Sequence, residues 1–233
     1  MERIHSVKFA ILPSTAFIMA AVAGFVDVIG FVGVNKLFTA HVTGNIIIAI
    51  SEIVHHEPGV LPKVIAIPLF VLVVGITTWV IEKWGQTKRQ FAAWLFIEAL
   101  FLLAFMLAGV YVLPDYSFRS WQYIFSAMLA VTAMAIHNTL NRTFMTLFPP
   151  GTVMTGNLTQ IVIDSVSYFW RKSLPYHTPT PFIQHGEISR FGHIFLGFVL
   201  GGILAAIGYM TIGFWSVSVT VILLLLMTLK LKG

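Results

Sequence analysis

Eight apolar runs, separated by short polar connections, leave this chain few folds to choose from. They span 13–34, 38–54, 60–81, 91–113, 121–140, 153–168, 191–210 and 215–229. Charged residues make up 10% of the sequence and apolar ones 58%, with a mean hydropathy of +0.89. A soluble domain carries roughly a quarter charged residues and has no use for so much apolar surface. The same composition rules out intrinsic disorder. The 233 residues suffice for about six to eight crossings of about 20 residues each. The basic stretch 1–8 precedes the first run, and Ala21-Val22-Ala23 could pass for a signal cleavage site. Cutting there would destroy a sequence repeat, so the run reads as an uncleaved first span. The net charge of +5 comes from residues between the runs, where they orient a membrane protein, and it implies no nucleic-acid partner. With no Cys there are no disulfides, thiolate ligands or Cys nucleophiles.

The repeat is marked by Thr43-Gly44-Asn45 and Thr155-Gly156-Asn157, which lie 112 residues apart. Each tripeptide opens a short apolar run, and each run ends in an acid nine positions after its Thr. Those acids, Glu52 and Asp164, are again 112 apart. The chain therefore reads as two related halves, 1–117 and 118–233. The second half carries a longer polar loop at 171–190, read as cytoplasmic. Internal repeats in membrane chains commonly build transporters.

Charge counting sets the expected topology. If all eight runs cross, with the N-terminus cytoplasmic, Lys and Arg divide nine inside and five outside. If the two Thr-Gly-Asn segments dip in and return, six helices cross and the division becomes eleven to three. The second arrangement obeys the positive-inside rule far better. It predicts an all-α polytopic bundle of two inverted repeats. Each repeat has three spans plus one short Thr-Gly-Asn helix, re-entrant or half-length, and both termini are cytoplasmic. A fully spanning form of the short helices stays open. Each short helix is expected to run about ten residues, roughly half the bilayer core. Gly would permit the turn, and Thr or Asn would cap the helix start. Two helix N-termini meeting at the midplane would aim partial positive charge at one point, the expected site. Trp79, Trp84, Trp94, Trp121, Trp170 and Trp215 fall near run ends, as an interfacial belt requires.

Few polar residues lie inside the runs, and each is a candidate for chemistry. Asp27 is a carboxylate well within the first run, and its counterpart, after one residue of slippage, is Asn138. Both would bind solute or, for Asp27, a coupling proton. Interhelical hydrogen bonding that only holds the bundle together is the alternative. Thr43, Asn45, Thr155 and Asn157 would line the centre, with His137 beside Asn138. Glu98, about two turns into the fourth run, could carry a proton or pair with a basic residue. Glu52 and Asp164 oppose the helix dipole, so they read either as gates with separate partners or as solvated helix ends. Gly197, Gly201 and Gly202 give the seventh run a smooth face for close helix packing. The chain has no phosphate loop, no Gly-x-Ser-x-Gly elbow and no zinc signature.

The pattern Ala23-Gly24-Phe25-Val26-Asp27, then His41, then Thr43-Gly44-Asn45, resembles the YoaK-type family of uncharacterised bacterial membrane proteins. Ala133-Met134-Ala135-Ile136-His137-Asn138 and Val153-Met154-Thr155-Gly156-Asn157 extend the resemblance over nearly the whole chain. It implies a multi-pass bacterial inner-membrane protein of about six spans and brings no established substrate. At the position before Asn138 that family often has Gln, where this chain has His137.

The reading that follows is a small secondary transporter or channel for a small polar solute, without a cofactor, embedded in the bilayer. A homo-oligomer is compatible with it. Two rivals stand beside it. One is an intramembrane enzyme, or a metal- or haem-binding protein, using Asp27, His41 and His137 together. The other is a membrane scaffold in which the polar residues only stabilise the bundle.

Overall fold

The computed structural model describes residues 12–170 and 187–232. Those residues form eight α-helices: α1 (Pro13–Gly33), α2 (Gly44–Val54), α3 (Val60–Trp84), α4 (Lys88–Tyr111), α5 (Trp121–Phe144), α6 (Met154–Trp170), α7 (Glu187–Ile212) and α8 (Ser218–Lys232). Two 3₁₀ turns, Leu113–Asp115 and Gly213–Val217, interrupt the order. Five helical stretches are long and apolar enough to cross a membrane, namely α1, α3, α4, α5 and the stretch Ser189–Leu231. The last contains 43 residues, about twice what a bilayer core needs. It breaks at Gly213, whose φ of +59° is a conformation glycine adopts at no steric cost. α7 and α8 emerge from that break.

Helix pairing follows the repeat. α1 packs chiefly on α7, α5 packs on both α4 and α3, α4 also packs on α8, and each short helix rests on the long helix after it, α2 on α3 and α6 on α7. α1 and α5 are the most buried of the long helices, whereas α3 lies at the periphery. Small residues bring α1 and α7 together. A Cβ on Gly24 would strike the carbonyl of Phe198, and one on Gly201 the carbonyl of Ala21. Gly202 faces Val28, so the expected smooth face of α7 is used. Large apolar side chains point outward all round the bundle, including Ile47, Val71, Leu72, Leu204 and Leu226. Trp79, Trp84 and Trp121 are likewise exposed.

Three expectations need correction. α6 runs 17 residues rather than ten, roughly 25 Å, because the helix continues past Asp164 instead of ending there. Of the expected 171–190 loop, residues 187–190 are the first turn of α7; the remainder lies outside the described residues. Thr43 stands at the start of α2 without a side-chain capping bond, and Asn45 bonds backward to the connection rather than to the helix start.

Candidate functional site

The main site is built where α1 ends and the chain turns back towards α2. Asn35 and Lys36 adopt left-handed backbone (φ +44° and +61°), which reverses the chain after α1. The connection then lies alongside Asp27. The backbone N–H groups of Thr39 and Ala40 donate to Asp27 Oδ1 at 2.7 and 2.8 Å. His41 Nδ1 lies 2.7 Å from Asp27 Oδ2. An ionised carboxylate only accepts, so the shared hydrogen sits on Nδ1 and Nε2 is the ring's remaining polar atom. These donors belong to the connection; the first N–H groups of α2, which the sequence suggested would meet a solute, bond instead to the carbonyls of His41, Val42 and Thr43.

Asn45 is fully buried and clasps the same connection. It accepts from Phe38 N–H and donates to Phe38 O, both at 2.8 Å. Gly44 is needed because a Cβ there would come within 2.8 Å of the Phe38 ring. Its place in the tripeptide thus reflects close packing rather than a special backbone angle. The second half repeats this clasp in reduced form. Asn157 Nδ2 donates to Pro150 O at 2.9 Å, and residue 150 stands 112 positions after Phe38. Proline has no N–H, so the reciprocal bond cannot form. Thr152 Oγ1 donates to Asn138 Oδ1, and Asn138 Nδ2 donates to Met134 O within its own helix. Thr152 is the positional equivalent of Ala40, so Asn138 holds its connection as Asp27 holds the first.

Asp27 and His41 sit at the polar end of a cleft of about 610 Å³. Val28, Phe31, Phe38, Thr43, Gly44, Ile47 and Phe198 complete its lining. Ring contacts run continuously around it, Phe31 to Phe38 at 5.0 Å, Phe38 to His41 at 6.2 Å and His41 to Phe198 at 5.4 Å. His41 is 32% exposed at its side chain and Asp27 only 5%, so the imidazole is the polar group that a ligand meets. His41 belongs to the connection, outside the long helices. Its hydrogen bond to Asp27, aided by that carboxylate's charge, raises its pKa above the ordinary value although burial opposes the shift. Among the expected site residues, Asp27 and Thr43 line this cleft. Asn45 lies behind it, and Asn138, His137, Thr155 and Asn157 belong elsewhere in the bundle.

A family profile matches residues 15–230, and its members are described as a protein of unknown function, DUF1275. The chain belongs to the DUF1275 family. That membership is compatible with the YoaK-type resemblance and assigns no activity. No curated protein and no solved structure matches the chain.

Two further buried pairs in this DUF1275 chain were not evident from single residues. Glu98 Oε1 and His137 Nδ1 meet at 2.7 Å between α4 and α5, both side chains wholly buried. Glu98 Oε2 and His137 Nε2 have no hydrogen-bond partner among the described residues. Asp27, His41 and His137 thus fall into two separate acid–imidazole pairs rather than one constellation. Among the described residues, no three His, Cys, Asp or Glu side chains gather closely enough to hold a metal ion. The Glu98–His137 pair carried a signal that helix length supplies. Glu98 precedes the end of α4 by 13 residues and His137 follows the start of α5 by 16. An antiparallel hairpin places such residues at similar depth.

Glu52, read as a gate or a solvated helix end, is buried and bonded to Lys63 Nζ at 2.8 Å. Lys63 is 1% exposed and also donates to Asn35 O and Gly59 O, at 2.7 and 3.2 Å. Asp164 is buried as well and accepts from Gln160 Nε2 at 2.8 Å. The solvated reading fails for both acids, because α2 and α6 turn them inward onto the long helices.

Proposed function

We propose that this protein is a small secondary transporter or channel whose solute site is the Asp27–His41 cleft. The observation that carries the reading is an acid–imidazole pair at the polar end of a cleft that, Thr43 and Gly44 apart, is otherwise walled by apolar side chains. Ligand sites combine an apolar lining with a few placed polar groups, and a volume of this order suits a small molecule. An ionisable pair that deep in a membrane bundle is expensive and marks a functional site by default.

The pairing of α1 with α7 and of α5 with α3 supports two repeats that exchange their helices. With six crossings, three per half, those repeats are inverted and both termini are cytoplasmic. α2, at 11 residues or roughly 16 Å, is too short to cross and suits a re-entrant element. Labelling of single cysteines introduced in 83–89 from either side of sealed vesicles tests the topology. A cytoplasmic result is expected, and a label from outside only would overturn six crossings.

The site reading is tested by a thermal-shift screen of small solutes on wild type and Asp27→Asn in detergent, with flux of the hits in proteoliposomes. Hits should stabilise wild type selectively and then cross the membrane. Hits that stabilise both proteins equally would place binding elsewhere. Binding without flux would remove the transport assignment.

A further inference from the structure

Resting on that reading of the site, the cleft's own chemistry narrows what it takes. Its walls are lined by the rings of Phe31, Phe38 and Phe198, with Val28 and Ile47 adding to the apolar surround. An aromatic wall attracts a cation through the ring quadrupole, most strongly where water is excluded. The electrostatics agree, since the lining contains the Asp27 carboxylate and no Lys or Arg. The lining also faces outward. Ile47 is 72% exposed, and Ile46, Ile50, Ile53 and Val54 extend its bare apolar face along α2. In a bilayer that face meets lipid tails, so a molecule dissolved in the membrane can reach the cleft sideways. A strongly hydrated small ion would gain little from such walls.

We propose that the cleft binds a lipophilic organic cation, an ammonium group on an apolar body, and that its binding and the protonation of His41 exclude one another. When His41 is neutral, Nδ1–H stays on Asp27, the pair carries one negative charge, and Nε2 offers a lone pair to the cleft. When His41 is protonated the pair is neutral, and Nε2–H points a positive edge at the place a cation would occupy. Cation entry therefore expels one proton from Nε2, and proton return expels the cation. Asp27 and His41 are the titratable residues of the lining contributed by α1, the connection, α2 and α7. On the same elements, Lys36 is paired with Glu57, Glu52 with Lys63 and His193 with the carbonyl of Ser189, while Tyr209 packs on Phe214 and Arg190 is exposed in the first turn of α7. Within a transporter this coupling is the exchange of a cation for a proton.

The test uses benzyltrimethylammonium, its uncharged isostere neopentylbenzene, and phenylacetate, titrated calorimetrically into the protein in lipid nanodiscs, with empty nanodiscs subtracted. The cation should bind about tenfold more tightly than the isostere, and phenylacetate should bind weakest. Its affinity should rise as pH is raised, and His41→Gln should flatten that dependence. Asp27→Asn should weaken the cation and spare the isostere. Should that variant misfold, Phe198→Leu keeps an apolar wall without the ring and should show the same selective loss. Equal affinity for cation and isostere, preference for the anion, no binding of any probe, or equal weakening of both ligands by Phe198→Leu would each overturn the proposal. Proteoliposome flux separates it from the transport reading. Selective binding without flux upholds the cation site and removes transport, whereas flux of another solute with no cation binding does the reverse.

Discussion

Lys63→Met should be among the most damaging single substitutions in the chain, and the corresponding double variant should be far milder. Lys63 is fully enclosed, and its ammonium donates to Glu52 Oε1, Asn35 O and Gly59 O at 2.7–3.2 Å. At 2.8 Å and an effective dielectric of about 20, the attraction to Glu52 amounts to about 6 kcal/mol before desolvation of both groups is set against it. The net worth of the pair is therefore small, but removing one partner strands the other. Lys63→Met leaves the buried Glu52 carboxylate uncompensated and should cost about 3–5 kcal/mol. It also unpairs the carbonyls that fix Asn35 and Gly59, at about 1–3 kcal/mol for a buried orphan group. Lys63→Met with Glu52→Leu removes the stranded charge and should recover most of the electrostatic loss, keeping only the carbonyl penalty. Midpoints of unfolding in mixed micelles with increasing SDS, read by circular dichroism, measure both variants. If the double variant is as unstable as the single one, the Glu52 charge is not what Lys63 neutralises, and the reasoning fails.

Other consequences follow from the same contacts. Asn45→Ala breaks two bonds to Phe38 and Asn157→Ala one bond to Pro150. At about 1 kcal/mol per bond, with more for orphaned groups, the first should lower the unfolding midpoint roughly twice as far as the second. Gly201→Ala should separate α1 from α7, because its Cβ would meet the Ala21 carbonyl backbone; a cost of about 1–3 kcal/mol is expected in the same assay, whereas Gly75→Ala, with open space around it, should be neutral or stabilising. His41→Gln tests the Asp27 pair through pH. A raised His pKa contributes stability that is complete below the unfolded value and is lost as pH rises through the folded one. The stability gap between wild type and His41→Gln should thus be widest in mild acid and narrow on going alkaline; a gap that widens with pH would contradict the pairing.

The sequence made the helices legible because an apolar run in a membrane must satisfy its own backbone hydrogen bonds, although for the two short runs it left open whether they cross. Their pairing was partly legible too, since the Gly197, Gly201 and Gly202 face could serve little besides close contact. Side-chain partnership was harder to read. Asp27 stood out as a buried acid and His41 as a nearby imidazole, but only the left-handed turn at Asn35 and Lys36 brings the two together. Lys63 gave no signal at all. It sits at the start of an apolar run, where a lysine ordinarily marks an interface, and its burial depends on Gly59, Asn35 and Glu52 converging around it. The Thr-Gly-Asn tripeptides were the clearest marks in the chain, and their Asn side chains bond to the backbone of residues 38 and 150, which the sequence alone did not show.

That last point changes where a functional search should begin. If both halves had kept all their polar residues for chemistry, the equivalent positions would match. A clasp is made at matching positions, by Asn45 and Asn157 on residues 38 and 150 and by Asp27 and Asn138 on 40 and 152, whereas the matching acids Glu52 and Asp164 take different partners. The ionisable group and its imidazole occur in the first half alone. Asn138 cannot carry charge, and the residue 112 positions after His41 is Val153, which cannot bind a proton. On the function proposed above, the first half would keep a site and the second only its shape. Converting the second half, by Asn138→Asp with Val153→His, is therefore the informative construction. Thr152 would still donate to the new carboxylate, so the clasp should survive. If a second acid–imidazole pair then binds a cation at its own cleft, the halves are interchangeable as frames. If it does not, the three phenylalanines around the first pair, rather than the charge, decide what the protein recognises.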